Sequence, residues 1–268
     1  MDGPVRAHHP RHRGRSRDPD TAVTSSSGGD ADAVPAALIE HHHADVTGGW
    51  LRAAVFGAMD GLVTNIGLIA GVGGGGLSRD AIILTGMAGL VAGAISMALG
   101  EYTSVTTAND QLEAELAKER RELERNPHAE AEELALNWTE RGLPEDLARQ
   151  VAHFLKDNPE EALRVHAQEE LGVVPDAQPS PWTAAISSFV CFSIGALIPL
   201  ISYLLGSDSL WLALAIGGVG LFVAGALTSR FTHRGWWTSG LRQLVLGLLA
   251  AGATYAIGKL IDGSTTAL

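Results

Sequence analysis

Long runs nearly free of charge cover residues 53–77, 81–100, 182–206, 209–229 and 236–258, each close to the roughly twenty residues that a membrane-spanning helix needs. A polar stretch precedes the first run, and a polar insert of about 104–180 separates the second from the third. The pattern predicts an all-α, polytopic membrane protein: five transmembrane helices, with an acidic helical domain inserted between the second and third. The expected divisions are a disordered tail over 1–46, helices one and two within 47–103, the helical domain over 104–180, helices three to five within 181–262, and a short tail over 263–268.

The insert carries helix signals of its own. The second span is expected to continue out of the membrane through LEAELAKERRELER and to stop at Asn126-Pro127, because proline disfavours helical geometry in the residue before it and starts a new helix well. A second helix then runs from His128 to about Arg141, a third over 145–156 after Gly142-Leu143-Pro144, and a fourth from Asn158-Pro159 to Gly172. The tail is rich in Arg, His, Asp, Ser, Gly and Pro without apolar periodicity, as a segment too polar to bury a core would be. It has no apolar stretch of signal-peptide type near Met1, and its His41, His42 and His43 read either as a loose metal-binding tract or as a surface feature.

Composition changes this picture in three places. The net charge of −11, without a basic stripe, excludes a nucleic-acid partner and suits a cationic one. Glycine is abundant, at 32 residues, and the pairs Gly57 with Gly61, Gly67 with Gly71 and Gly89 with Gly93 have the spacing that lets membrane helices approach closely. The single cysteine, Cys191, lies inside the third apolar run and cannot form an intrachain disulfide. Orientation follows from Lys and Arg near the span ends: Arg52, Lys118, Arg120, Arg121, Arg125, Arg230 and Arg234 share one side, against Arg79 and Lys259 on the other. The amino terminus and the acidic insert are therefore expected in the cytosol. Trp182, Trp211, Trp236 and Trp237 fit an interfacial belt.

Candidate chemistry begins with Asp60, near the middle of the first span, where an ionised carboxylate in lipid would cost several kcal/mol. The alternative is a satisfied polar contact in a buried helix of a soluble protein. Met97 and Glu101, four apart on one face of the second span, resemble a borderline metal site, since a thioether beside carboxylates suits a transition ion such as ferrous iron better than calcium or magnesium. Taken singly, Met97 could be a gap-filling core residue and Glu101 an interfacial anchor. In the insert, Glu119 with Glu122 and Glu130 with Glu133 form pairs three apart on either side of the Asn126-Pro127 turn. A hairpin would bring them together, and four converging carboxylates call for a multivalent cation. A solvated acidic face laced with Arg120, Arg121 and Arg125 accounts for the same spacing. Glu170, with His166 four residues before it, is a further contribution from the last helix of the insert.

On VFGAMDGLVTNIGLIAGV and GLVAGAISMALGEYTSV, the chain resembles the vacuolar iron transporter family, also called CCC1-like, from about residue 48 to the end. The resemblance implies a homodimer of five-span subunits that exchanges ferrous iron or manganese for protons and moves metal out of the cytosol. Its path would lie at the dimer interface, lined by the first two spans. It also implies that Asp60 and Met97 are the membrane aspartate and methionine, that Glu101 is the carboxylate of the second-span motif, and that Glu119, Glu122, Glu130, Glu133 and Glu170 bind metal in the cytosolic domain. Val165, His166 and Ala167 stand where some members carry adjacent methionines, so His166 either replaces a soft ligand or leaves that coordination missing.

The expected function is thus a proton-coupled transporter of Fe2+ or Mn2+, with no prosthetic group and no enzymatic activity, in a prokaryotic plasma membrane. Two rivals come from other classes. A membrane-anchored, ferritin-like di-iron oxidase would show Glu-x-x-His pairs, and the insert has none. A metal sensor would bind cations without moving them. No HExxH motif points to a zinc protease, and the run Gly73 to Gly76 lacks the ending of a phosphate loop.

Overall fold

The computed structural model describes residues 49–175, 177–232 and 234–265. The amino-terminal tail with His41, His42 and His43 lies outside them, as do residues 266–268. Every regular element among the described residues is helical: α1 Gly49–Gly74, α2 Arg79–Arg125, α3 Pro127–Glu140, α4 Glu145–Lys156, α5 Pro159–His166 with a π turn Ala167–Leu171, α6 Pro181–Leu204, α7 Leu210–Thr232 and α8 Trp236–Thr265. Five of them, α1, α2, α6, α7 and α8, are long and apolar enough to cross a membrane. The last runs on to Thr265, into the segment expected as a short tail.

α2 is a single helix of 47 residues. At 1.5 Å per residue it is ~70 Å long, about twice the ~30 Å of hydrocarbon in a bilayer, so it must project well beyond the membrane. Ser78 caps its start by accepting from the Ala81 amide, and it ends at Asn126, where Pro127 opens α3. The projecting end packs through Leu123 against a small core of Ala131, Leu134, Ala135, Ala148, Ala152, Leu155 and Ala162. This core is the helical insert. Gly142 and Gly172, at φ of 99° and 66°, take the left-handed conformation at the turns that end α3 and the π turn, which side chains rarely adopt.

In the membrane layer α1 is the central helix, packed against α6, α8, α2 and α7. Its crossing with α6 is backbone on backbone: a methyl group at Gly61 would collide with the Phe192 carbonyl, and one at Gly195 with the Ala58 carbonyl. Asn65, fully buried, donates from Nδ2 to the Ala196 carbonyl at the same crossing. α2 turns Ile82, Gly86, Ala94, Glu101 and Val105 inward, while Leu84, Val91, Ile95 and Leu99 remain exposed on its other side. The start of α1 meets the start of α6, where Ser187 donates to the Trp50 carbonyl at 3.2 Å, and Asn109 of α2 donates to the Pro179 carbonyl at 3.0 Å. These contacts place the insert, the start of α1 and the start of α6 at one end of the helix layer. Arg79 ties the opposite end, donating from Nε and Nη2 to the Tyr203 carbonyl at 3.1 and 2.8 Å. Trp182, Trp211, Trp236 and Trp237 occupy the first two positions of α6, α7 and α8, all exposed, as an interfacial belt requires.

Candidate metal sites

In the insert, a carboxylate from the long helix meets an imidazole and a second carboxylate from the last helix. Glu119 comes from the projecting part of α2, His166 from the end of α5, and Glu170 from the π turn that follows. His166 Nδ1 lies 3.2 Å from Glu119 Oε1 and 3.0 Å from Glu170 Oε1, and one ligand atom from each of the three residues falls within 4.8 Å of the others. His166 is 2% exposed and Glu119 8%, whereas Glu170 opens to solvent. Buried Glu119 Oε1 has no hydrogen-bond partner of adequate geometry among the described residues. A cation bound between the three groups would satisfy it, and an imidazole with two carboxylates suits a divalent transition ion.

The neighbouring acids bear on this cluster through charge. Burial raises the Glu119 carboxyl above its ordinary value, and the carboxylates of Glu170, Glu130 and Glu122 push it further, with His166 opposing. Glu130 is raised by burial first, then by Glu133, Glu122 and Glu170, again opposed by His166. Glu119, Glu122, Glu130, Glu133, Glu170 and His166 thus share one electrostatic neighbourhood across α2, α3 and the π turn. The ligand-distance group within it is Glu119, His166 and Glu170; Glu122, Glu130 and Glu133 stand around it.

The π turn has its own support, which spacing did not reveal. Glu169, beside Glu170, accepts from Trp138 Nε1 at 3.2 Å and pairs with Arg141, so the end of α3 holds the turn that carries Glu170. A single turn of π-helix at such a place is often tied to function.

The three membrane residues are not joined to one another by any described polar contact. Asp60, half-buried on α1, accepts from Thr64 Oγ1 at 3.5 Å. Met97 packs against Ala94, Phe192 and Ala196, on the face that α2 turns toward α6. Glu101 lies one turn further on the same face, and its side chain, 8% exposed, pairs with Arg52 Nη2 of α1 at 3.0 Å. In the sequence Arg52 signals only the orientation of the first span. An apolar groove of about 800 Å³ runs between α1 and α8 from Thr64, next to Asp60, to Asp262 near the far end of α8.

The profile of the VIT family matches residues 51–259. The chain is 38% identical over 222 residues to the vacuolar iron transporter of Acanthamoeba castellanii, covering 81% of this chain and 80% of that protein. It is 33% identical over 216 residues to vacuolar iron transporter homolog 1 of Oryza sativa subsp. japonica, covering 79% and 73%. With vacuolar iron transporter 1 of Arabidopsis thaliana it shares 28% identity over 233 residues, covering 84% and 92%.

Proposed function

The chain belongs to the VIT family, and on that premise we propose that it is a membrane transporter that moves ferrous iron or manganese out of the cytosol in exchange for protons. The observation that carries the reading is the continuity of α2: one helix holds Met97 and Glu101 in the membrane layer and Glu119 in the acidic cluster. Glu101 and Glu119 are ~27 Å apart along its axis, so the capture site stands clear of the bilayer.

In this mechanism Glu119, His166 and Glu170 take the cation from the cytosol, and Glu122, Glu130 and Glu133 raise the local negative potential that attracts it. His166 serves as a nitrogen ligand. The ion then passes to Glu101, Met97 and Asp60 along a path between two subunits of a homodimer. A metal and a proton compete for the same carboxylate, because ligation requires the ionised form, so alternating exposure of Asp60 suffices to couple the two flows. The membrane is a prokaryotic plasma membrane, with the insert on its cytosolic face.

Purified protein in liposomes carrying a metal-sensitive dye and a pH gradient tests this across Fe2+, Mn2+, Ca2+ and Mg2+. Uptake of the first two, with proton movement in the opposite sense, is the expected result. Binding without flux would make the protein a sensor, and oxygen consumption on adding Fe2+ would make it an oxidase.

A further inference from the structure

Glu101 is the buried carboxylate of the membrane layer, and it does not stand alone: Arg52, from the first turn of α1, reaches across to it at 3.0 Å. The pair is asymmetric. The Glu101 side chain is 8% exposed and held on the inward face of α2, above Val105, which is buried with Ala53 and Ala184. The Arg52 side chain is 66% exposed. The anion is therefore fixed by packing, while the cation can swing into water and be rehydrated at little cost. A buried ionised carboxylate left without a partner is strongly unfavourable, so the charged form of Glu101 calls for a positive partner.

We propose that Arg52 is a tethered counter-ion that occupies Glu101 until a divalent cation displaces it, and that it thereby filters cations by charge. The inference rests on the reading of Glu101 as part of the transport path. A guanidinium on the same protein faces the carboxylate at a high effective concentration and never loses its charge. A free monovalent ion brings the same single charge without the advantage of the tether, and so displaces Arg52 poorly. A divalent ion brings twice the charge to the same carboxylate and wins the exchange. Arg52 would then be a positioning and specificity residue: it orients Glu101, and it raises the metal concentration at which the site fills.

The test is the rate of Mn2+ uptake by proteoliposomes as a function of Mn2+ concentration, with and without excess K+, for the full chain and its Arg52→Lys and Arg52→Gln variants. The half-saturating concentration is expected to fall in the order wild type, Arg52→Lys, Arg52→Gln, because an ammonium on a shorter stem holds the carboxylate less well than the guanidinium fork and an amide carries no charge. Inhibition by K+ should rise in the same order. If Arg52→Gln does not yield folded protein, the step from wild type to Arg52→Lys must still show a lower half-saturation and a stronger K+ effect. Unchanged half-saturation in the variants, or a loss of maximal rate alone, overturns the inference and leaves Arg52 as a structural tie. Absence of flux in the wild type overturns the transport reading, and the inference falls with it.

Discussion

His166 Nδ1 lies 3.2 Å from Glu119 Oε1, joining the end of α5 to the projecting end of the long helix α2. The imidazole is buried, and both atoms it approaches belong to carboxylates. His166→Ala is therefore expected to weaken Mn2+ binding to the detergent-solubilised protein by at least about tenfold, a cost usual even for groups one step removed from a metal. Isothermal titration of wild type and variant measures it. Equal affinities would show that the cluster is an ion pair of the fold alone.

The raised carboxyls of Glu119 and Glu130 set a pH dependence. A carboxyl held above its ordinary 4.5 favours the protonated folded state, so its contribution to stability is present in acid and is lost as pH rises through the raised value. The metal-free protein should gain thermal stability as pH falls from neutrality toward the ordinary carboxyl value of 4.5 and these groups take up protons, and Glu119→Gln should reduce that gain. Added Mn2+ should stabilise most near neutrality and progressively less in acid, where protons compete with it. Thermal unfolding in detergent across this range checks both. A Glu119→Gln profile parallel to wild type would contradict the assignment.

Trp138 and Arg141 act on the cluster through Glu169. Trp138→Phe removes the indole donor while keeping an aromatic ring against the insert core. It should weaken metal binding by less than the roughly tenfold typical of a group bonded directly to a ligand, with little change in helix content by circular dichroism. Unchanged affinity would show that the π turn holds its place without the indole hydrogen bond.

How much of this was legible in the sequence depends on the range of the interaction that determines it. The ends of α2, α3, α4 and the π turn after α5 follow from local chemistry at Asn126-Pro127, Gly142, Asn158-Pro159 and Gly172, and the structure breaks its helices there. The five spans are likewise a matter of length and apolarity. Contacts between helices left no such trace. Arg52 and Glu101 are 49 residues apart, and nothing in their spacing selects one for the other, since the register between α1 and α2 is set by how both pack on α6. Asn65 finds the Ala196 carbonyl for the same reason. The pairs Glu119 with Glu122 and Glu130 with Glu133 come within electrostatic reach of one another across the Asn126-Pro127 turn. The ligand-distance group is Glu119 with His166 and Glu170, and it depends on how α5 and the π turn pack against α2, a contact between distant segments.

The glycines of the α1–α6 crossing give a stability prediction. Gly61→Ala would press a methyl group into the Phe192 carbonyl, and relief requires the two helices to separate. A loss of about 1–3 kcal/mol is expected, as for other overpacked sites. Gly252→Ala on α8, whose added methyl meets nothing within 4 Å, should stay within about 0.5 kcal/mol of wild type. Unfolding of the two variants in detergent compares them directly, and equal stability would contradict the close crossing.

The most direct test of the transport account is Mn2+ uptake by proteoliposomes carrying Asp60→Ala, driven by a proton gradient and followed beside Mn2+ binding to the same protein. Asp60 sits on α1, away from the acidic cluster, and one turn before Thr64, which lines the groove that leads toward Asp262. The account predicts that the variant binds Mn2+ at its insert as wild type does but no longer moves it across the bilayer. Uptake at the wild-type rate would contradict it.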